Sequence, residues 1–252
     1  DAGTSGWNNF EKFKTNVIEK SQTRILAFLN IAGNGMSGNP EQQQIDQMDA
    51  TKAVELIKQY TDILVGIKIG HYEGKDTAPF LKSIEAATEA GKPLFVECHL
   101  PEYTLDWQLN HMRPGDIITH SFEKVNERMP VLDDSGTLRP FVKTAQQNGI
   151  LFDLGHGGYG FWFNQAVGAM DQGLAPNTFG TDLHRFSMNA GMKNMLNVMS
   201  KYLTMGMKEP EIIKRATLNA ALAIRHPELG CLKAGGEADS AVLSILKGNF
   251  GF

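Results

Sequence analysis

Apolar strand-like runs alternate with helix-length stretches along most of the chain, and this alternation constrains the fold more than any single residue. Strands are expected over residues 1–4, 24–31, 64–70, 93–99, 116–120, 149–155 and 178–182. Helices are expected over 9–19, 49–60, 78–90, 104–111, 137–147, 161–172, 191–205 and 209–224. Seven strand signals, most followed by a helix, imply a parallel sheet with helices outside it. A length of 252 residues suits one TIM-type (β/α)8 barrel. Seven strands are one short of closure, and the sequence opens on Asp1-Ala-Gly-Thr without a methionine. A first barrel strand missing from this chain is the expectation. After Pro227 the pattern changes, and residues 237–246 read as a strand with no helix behind it. The expected division is a barrel over 1–228 and the beginning of a truncated β-sandwich element over 229–252.

Composition narrows the function classes. Lys and Arg number 24 against 28 Asp and Glu, and no basic block suggests nucleic acid. No apolar run is long enough to span a bilayer. Cys98 and Cys231 are too few for a disulfide framework and lack zinc-knuckle spacing. Neither a cytoplasmic nor a periplasmic location follows from these features.

Leu64–Gly70 reads Leu-Val-Gly-Ile-Lys-Ile-Gly, a buried strand with Val65, Ile67 and Ile69 on one face and Gly66, Lys68 and Gly70 on the other. A lysine in mid-strand is costly unless its charge is compensated, and the flanking glycines leave room around the amine. A solvated lysine at a strand rim is the plainer reading. In parallel α/β barrels the working residues sit at the C-terminal strand ends. Here the later strand ends carry Glu97 and His99 on one face, with Cys98 on the other, then His120, His156, Asp182 and His184. Oxygen and imidazole groups of this kind suit zinc, manganese or iron. Singly, each has an ordinary explanation: a hydrogen-bonded structural histidine, an aspartate capping a loop, a tight turn at His156, an inert apolar Cys98. Their recurrence at strand ends outweighs these. His71, His111 and His226 have no comparable placement and read as surface or loop residues.

One motif competes. Gly33-Asn34-Gly35-Met36-Ser37-Gly38 follows a strand and fits G-x-G-x-x-G. Pro40 and the glutamines at 42–44 do not open a helix that could receive a pyrophosphate, and no acidic residue ends the next strand. A loop over the barrel mouth is the better reading, and a nucleotide-binding oxidoreductase the weaker one.

The sequence also resembles the amidohydrolase superfamily, within it the bacterial amidohydrolase/deacetylase group related to dihydroorotases and N-acyl amino acid deacylases. The resemblance is carried in order by Asp1-Ala-Gly-Thr-Ser-Gly-Trp7, Ala27-Phe-Leu-Asn-Ile31, Val65-Gly-Ile-Lys-Ile69, Arg113-Pro-Gly-Asp-Ile-Ile-Thr-His120, Phe152-Asp-Leu-Gly-His-Gly157, Gly180-Thr-Asp-Leu-His184, Ser187-Met-Asn-Ala-Gly-Met192 and Ala238-Asp-Ser-Ala-Val-Leu243. It implies a distorted TIM barrel with a small β-sandwich. Lys68 is similar to a lysine that is carboxylated and bridges two metals. His120 matches a metal-binding histidine, and Asp182 an aspartate that binds metal and acts as general acid/base. The family's first-strand His-x-His pair is absent from the chain. At the family's strand-five histidine this sequence offers Glu97, with His99 two residues on, and both stay candidates.

The resemblance implies a metal-dependent hydrolase that cleaves a C–N bond of an N-acyl or cyclic amide by metal-activated hydroxide. The expected cofactor is a pair of zinc ions, with manganese or iron as alternatives, held by Lys68, Glu97, His99, His120 and Asp182. His156 and His184 are the expected substrate-binding residues, and Tyr159, Phe161 and Trp162 line an apolar part of the pocket or pack in the core. The expected partner is a small-molecule substrate, with neither nucleic acid nor membrane, and homo-oligomer formation is left open. Esterase activity on small acetyl esters and a non-catalytic ligand-binding barrel are the alternatives.

Overall fold

The structure is a computed structural model that describes residues 1–36, 40–97, 101–125, 128–184, 186–189 and 194–250. Six strands pair in parallel and in chain order: β1 (Ala2–Gly6), β2 (Ala27–Asn30), β3 (Leu64–Gly70), β4 (Leu94–Glu97), β5 (Ile117–Ile118) and β6 (Leu151–Phe152). The order continues one step further. Thr178 bridges Asp153 in parallel, and Leu154 N–H and His156 N–H donate to the carbonyls of Thr178 and Gly180 at 3.2 and 3.0 Å. All seven expected strand positions are therefore met, several over shorter spans. The inner faces of β1, β3, β4 and the 178–182 segment line one cavity of about 330 Å³, so the sheet is curled around a common interior. This is the TIM-type α/β architecture that the alternation implies.

Nine helices are found among the described residues: α1 (Phe10–Asn16), α2 (Ala50–Gln59), α3 (Ala78–Glu89), α4 (Leu105–His111), α5 (Pro140–Gln147), α6 (Phe163–Asp171), α7 (Met195–Thr204), α8 (Glu209–Ala216) and α9 (Leu218–Ala223). Asp49 opens α2 by accepting from Lys52 N–H, while Pro79, Pro140 and Pro210 sit where a helix leaves its first N–H groups unpaired. The single helix expected over 209–224 breaks at Thr217, whose φ of −130° and ψ of −91° leave the helical region. Among the described residues between β2 and α2 the helical elements are short 3-10 turns, which offer no α-helix N-terminus to the glycine motif. Gln42 and Gln43 instead donate to the carbonyls of Gly70 and His71, tying this loop to the C-terminal end of β3.

The main core lies between sheet and helices. Ile67 and Ile69 of β3 pack there with Leu29, Phe80, Val96 and Phe152. Val65, expected beside them, joins a smaller cluster with Phe28, Ile117 and Ala223 that fills the other end of the barrel interior. Gly66 does not leave room for the amine. A Cβ there would stand 2.4 Å from the Phe28 ring, so that ring occupies the space. Residues 237–246, read as a strand, form no ladder and are exposed. Their acidic side chains Glu237 and Asp239 pair with Arg24 at 2.6 and 3.2 Å.

β1 meets the buried lysine of β3 at Gly3, where φ is +90° and a Cβ would approach Lys68 Cγ to 2.5 Å. Both features exclude a side chain. Gly3→Ala should therefore lower the unfolding free energy by about 1–3 kcal/mol. Chemical denaturation checks this, and a variant as stable as the wild type would contradict the close approach of β1 and Lys68.

Candidate active site

Lys68 projects from mid-β3 into the barrel and is only 1% exposed. A buried ammonium needs a counter-charge, and Glu97 at the end of β4 supplies it, with Oε2 2.5 Å from Nζ. Register explains the meeting. Lys68 lies opposite Phe95, and Glu97 is two residues further along the same face. The other oxygen of Glu97 lies 3.0 Å from His120 Nε2 and 3.3 Å from His71 Nε2. Asp182 Oδ2 stands 3.9 Å from His120 Nε2 and 4.0 Å from His184 Nε2. Lys68, Glu97, His120 and Asp182 thus come together at one mouth as expected. His99 lies outside the described residues, as does Cys98.

The backbone at this mouth is unusual. His71, His120 and Asp182 have φ of 60°, 54° and 46°, a region that side chains rarely adopt. Only Arg225 shares it among the described non-glycine residues. Such strain persists where surrounding bonds over-determine it. At His120 the fixing group is Arg128, whose buried Nη1 donates to the carbonyls of Thr119 and His120 at 2.9 and 3.3 Å and to Glu123 Oε1 at 2.9 Å. At Asp182 clearance comes from Gly157, where a Cβ would stand 2.2 Å from Oδ2.

Hydrogen bonding settles the orientation of His120. Its Nδ1 faces the Gly155 carbonyl and must donate, which leaves Nε2 aimed at the Glu97 carboxylate. Two lone pairs cannot face each other at 3.0 Å without a positive charge between them. A proton on Nε2 meets this need. Burial opposes it, but the hydrogen bond and charge of Glu97 outweigh burial and hold the His120 pKa above its ordinary value. A divalent cation meets the same need, and a histidine that donates its other nitrogen to a backbone carbonyl is the usual form of a metal ligand. Among the described residues no three His, Cys, Asp or Glu side chains already surround a single point. The donor set nevertheless fits a hard or borderline cation in its chemistry.

Two site residues escaped the sequence reading. Asp153, one residue beyond β6, is buried in the cavity wall and accepts from Thr119 Oγ1 and Thr178 Oγ1 at 2.8 and 2.6 Å. Burial raises its pKa, against the pull of those hydroxyls. It clamps three neighbouring strand ends together. A carboxylate inside an apolar strand was the same signal that marked Lys68. His71 offered none, since strand alternation turns it away from Lys68 and only its left-handed backbone brings it to Glu97.

The two expected substrate histidines differ in setting. His184 is half exposed beside Asp182. His156 is buried and does not line the cavity; its Nε2 lies 2.7 Å from Lys201 Nζ and its ring stacks on Phe161. Phe161 packs in the core, whereas Tyr159 and Trp162 are exposed. The His111 and His226 side chains bond to the Trp107 carbonyl and to Glu228, in keeping with their reading as surface or loop residues.

No family model matches the sequence. A deacetylase of Brucella anthropi is 30% identical over 253 residues, covering 98% of this chain and 62% of the relative. An adenine deaminase structure superposes with a TM-score of 0.88 at 26% identity, covering 94% of this chain and 66% of the other. A dihydroorotase structure gives 0.82 at 30% identity, covering 90% and 64%. The chain spans less than two thirds of the length of each of these proteins. The fold and its strand-end groups are those of a TIM-type barrel with a polar, charged mouth. These similarities support membership of the amidohydrolase superfamily.

Burial, as the leading cause, lowers the His156 pKa from 6.5 to about 4. The folded state then binds fewer protons than the unfolded chain between these values, so the stabilisation is complete above 6.5 and lost as pH falls towards 4. Denaturation of the wild type and His156→Gln across this range should show the wild type losing its advantage towards acid. A difference that does not change with pH would contradict the buried neutral imidazole.

Proposed function

We propose that the protein hydrolyses the C–N bond of an N-acyl or cyclic amide at this mouth, as a deacetylase or dihydroorotase-like enzyme. The observation that carries the reading is the convergence of Lys68, Glu97, His120 and Asp182, with His120 Nε2 and Glu97 Oε1 facing one another at 3.0 Å. The names of the similar proteins, a deacetylase, an adenine deaminase and a dihydroorotase, support C–N bond chemistry.

Lys68, Glu97, His120 and Asp182 would hold a pair of divalent cations, zinc fitting the nitrogen and oxygen donors best and manganese or iron remaining compatible. His99 stays a candidate on the sequence alone, two residues beyond Glu97. Lys68 takes part after carboxylation: its neutral amine adds carbon dioxide and releases one proton, which replaces an ammonium with an anion suited to lie between cations. Cations held by these residues would supply Lewis-acid chemistry, polarising a carbonyl and lowering the pKa of water towards neutrality. Asp182 takes the proton from the attacking water and returns it to the leaving nitrogen as the C–N bond breaks. Its half-exposed carboxylate at the rim can reach both partners. His184 holds the substrate beside it. His156 shapes the loop under Asp182 instead of touching the substrate, because both its ring nitrogens are engaged within the protein.

Turnover of N-acetyl amino acids, cyclic amides and acetyl esters by the zinc-supplied protein tests the reading. Asp182→Asn should lower kcat by about 10²–10⁴ with little change in KM, the usual size of a general acid/base contribution. Lys68→Ala should abolish turnover. Hydrolytic rates unchanged in both variants would show that the chemistry lies elsewhere. Preference for the acetyl esters would select esterase action at the same mouth.

A further inference from the structure

Behind the mouth, Lys201 of α7 is 6% exposed, and its Nζ lies 2.7 Å from His156 Nε2. The charge of this lysine is unexplained. Among the described residues no carboxylate pairs with Lys201 or with His156, and the Phe161 ring lies 5.5 Å from Nζ and stacks on the imidazole. An uncompensated buried ammonium is among the costliest groups a fold can carry.

The hydrogen bonds around His156 resolve the problem. Gly158 N–H donates to Nδ1 at 3.2 Å, so Nδ1 must present its lone pair. A neutral imidazole with an unprotonated Nδ1 carries its hydrogen on Nε2, and that hydrogen faces Lys201. An ammonium has three donors and no acceptor, so it would oppose Nε2–H with another N–H. A neutral amine has one lone pair and accepts from Nε2–H without conflict. We propose that Lys201 is a neutral amine that accepts a hydrogen bond from His156 Nε2–H and serves as a positioning residue for the 155–160 loop at the active-site mouth.

The other groups near the pair agree. Burial alone lowers the Lys201 pKa. The positive charge of His120, on the far side of the loop, further disfavours a second proton on His156. Tyr202, next to Lys201 on α7, is buried with its pKa raised and brings no charge. The Phe161 face would favour an ammonium, but it cannot relieve two donors facing each other.

The position matters because of what the loop holds. His156 N–H and Gly157 N–H donate to the carbonyls of Gly180 and Thr181, both at 3.0 Å, which sets the backbone leading into Asp182. The Gly155 carbonyl accepts from His120 Nδ1. A His156 ring fixed in one tautomer by Lys201 on one side and Gly158 on the other therefore fixes the support of both His120 and Asp182. The consequence for turnover rests on the hydrolase reading above, whereas the proton assignment does not.

Heteronuclear NMR of the protein labelled at histidine nitrogens and lysine carbons tests the assignment near neutral pH. The expected result is His156 protonated on Nε2 and bare on Nδ1, with Lys201 showing the shifts of a free amine at neutral pH and titrating well below exposed lysines. A proton on Nδ1 together with a Lys201 ammonium that persists into alkaline solution would overturn the proposal. A second comparison uses kinetics. Lys201→Met, uncharged, should retain more of kcat than Lys201→Arg, permanently charged, with KM little altered in either. An arginine variant equal to the wild type beside an inactive methionine variant would show that the site needs a cation and would also overturn it. Absence of hydrolysis in the wild type would count against the hydrolase reading alone, since the NMR result stands without turnover.

Discussion

A positive charge buried in the middle of β3 governs the arrangement around it. Removing an ammonium from water costs several kcal/mol even after the protein relaxes, so Lys68 is tolerable only with a charge-assisted partner. Glu97 is that partner at 2.5 Å, and its second oxygen draws in His120 and His71. Each of these stands at the end of a different strand or just past it. One compensating contact thereby couples the C-terminal ends of β3, β4 and β5 and gives the barrel a polar mouth above an apolar interior of Phe28, Ile117 and Ala223.

The ends of these strands are held by devices other than ladder bonds. Asp153 joins Thr119 and Thr178, and Arg128 collects two carbonyls and Glu123. Gly155 receives the ring of His120. Left-handed backbone at His71, His120 and Asp182 is the price of turning side chains of consecutive strand ends toward one point. The opposite end is built differently. Arg113 and Asp116 lock the entry to β5 through a 2.7 Å ion pair, with Asp116 also accepting from Leu94 N–H at 2.8 Å. Conservative packing at one end and strained polar geometry at the other is the division of labour expected of this architecture.

Much of this was legible in the sequence because two periodicities carry it. Alternation of strand and helix signals located every parallel strand position, and the two-residue repeat within strands placed Lys68 and Glu97 on one face. Strand lengths were not legible. β5 and β6 shrink to two ladder residues each because their polar ends leave the sheet to form the site. His71 was missed because the repeat holds only while the backbone stays extended. The space beside Gly66 was misread because Phe28, distant in sequence, fills it. Asp153 could have been assigned by the logic applied to Lys68. His156 carried a strand-end signal but not its partner, since Lys201 reaches it from a helix 45 residues away.

The central claim is that the Lys68, Glu97, His120 and Asp182 cluster is built for a divalent cation. Metal analysis after equilibrium dialysis against zinc, on the wild type and on His120→Ala, tests it most directly. The account predicts at least one zinc retained per chain by the wild type and an affinity weakened by roughly tenfold or more in the variant, at or beyond the range found when groups supporting a metal site are removed. A wild-type protein that retains no zinc, manganese or iron, or a variant that binds zinc as tightly as the wild type, would contradict it.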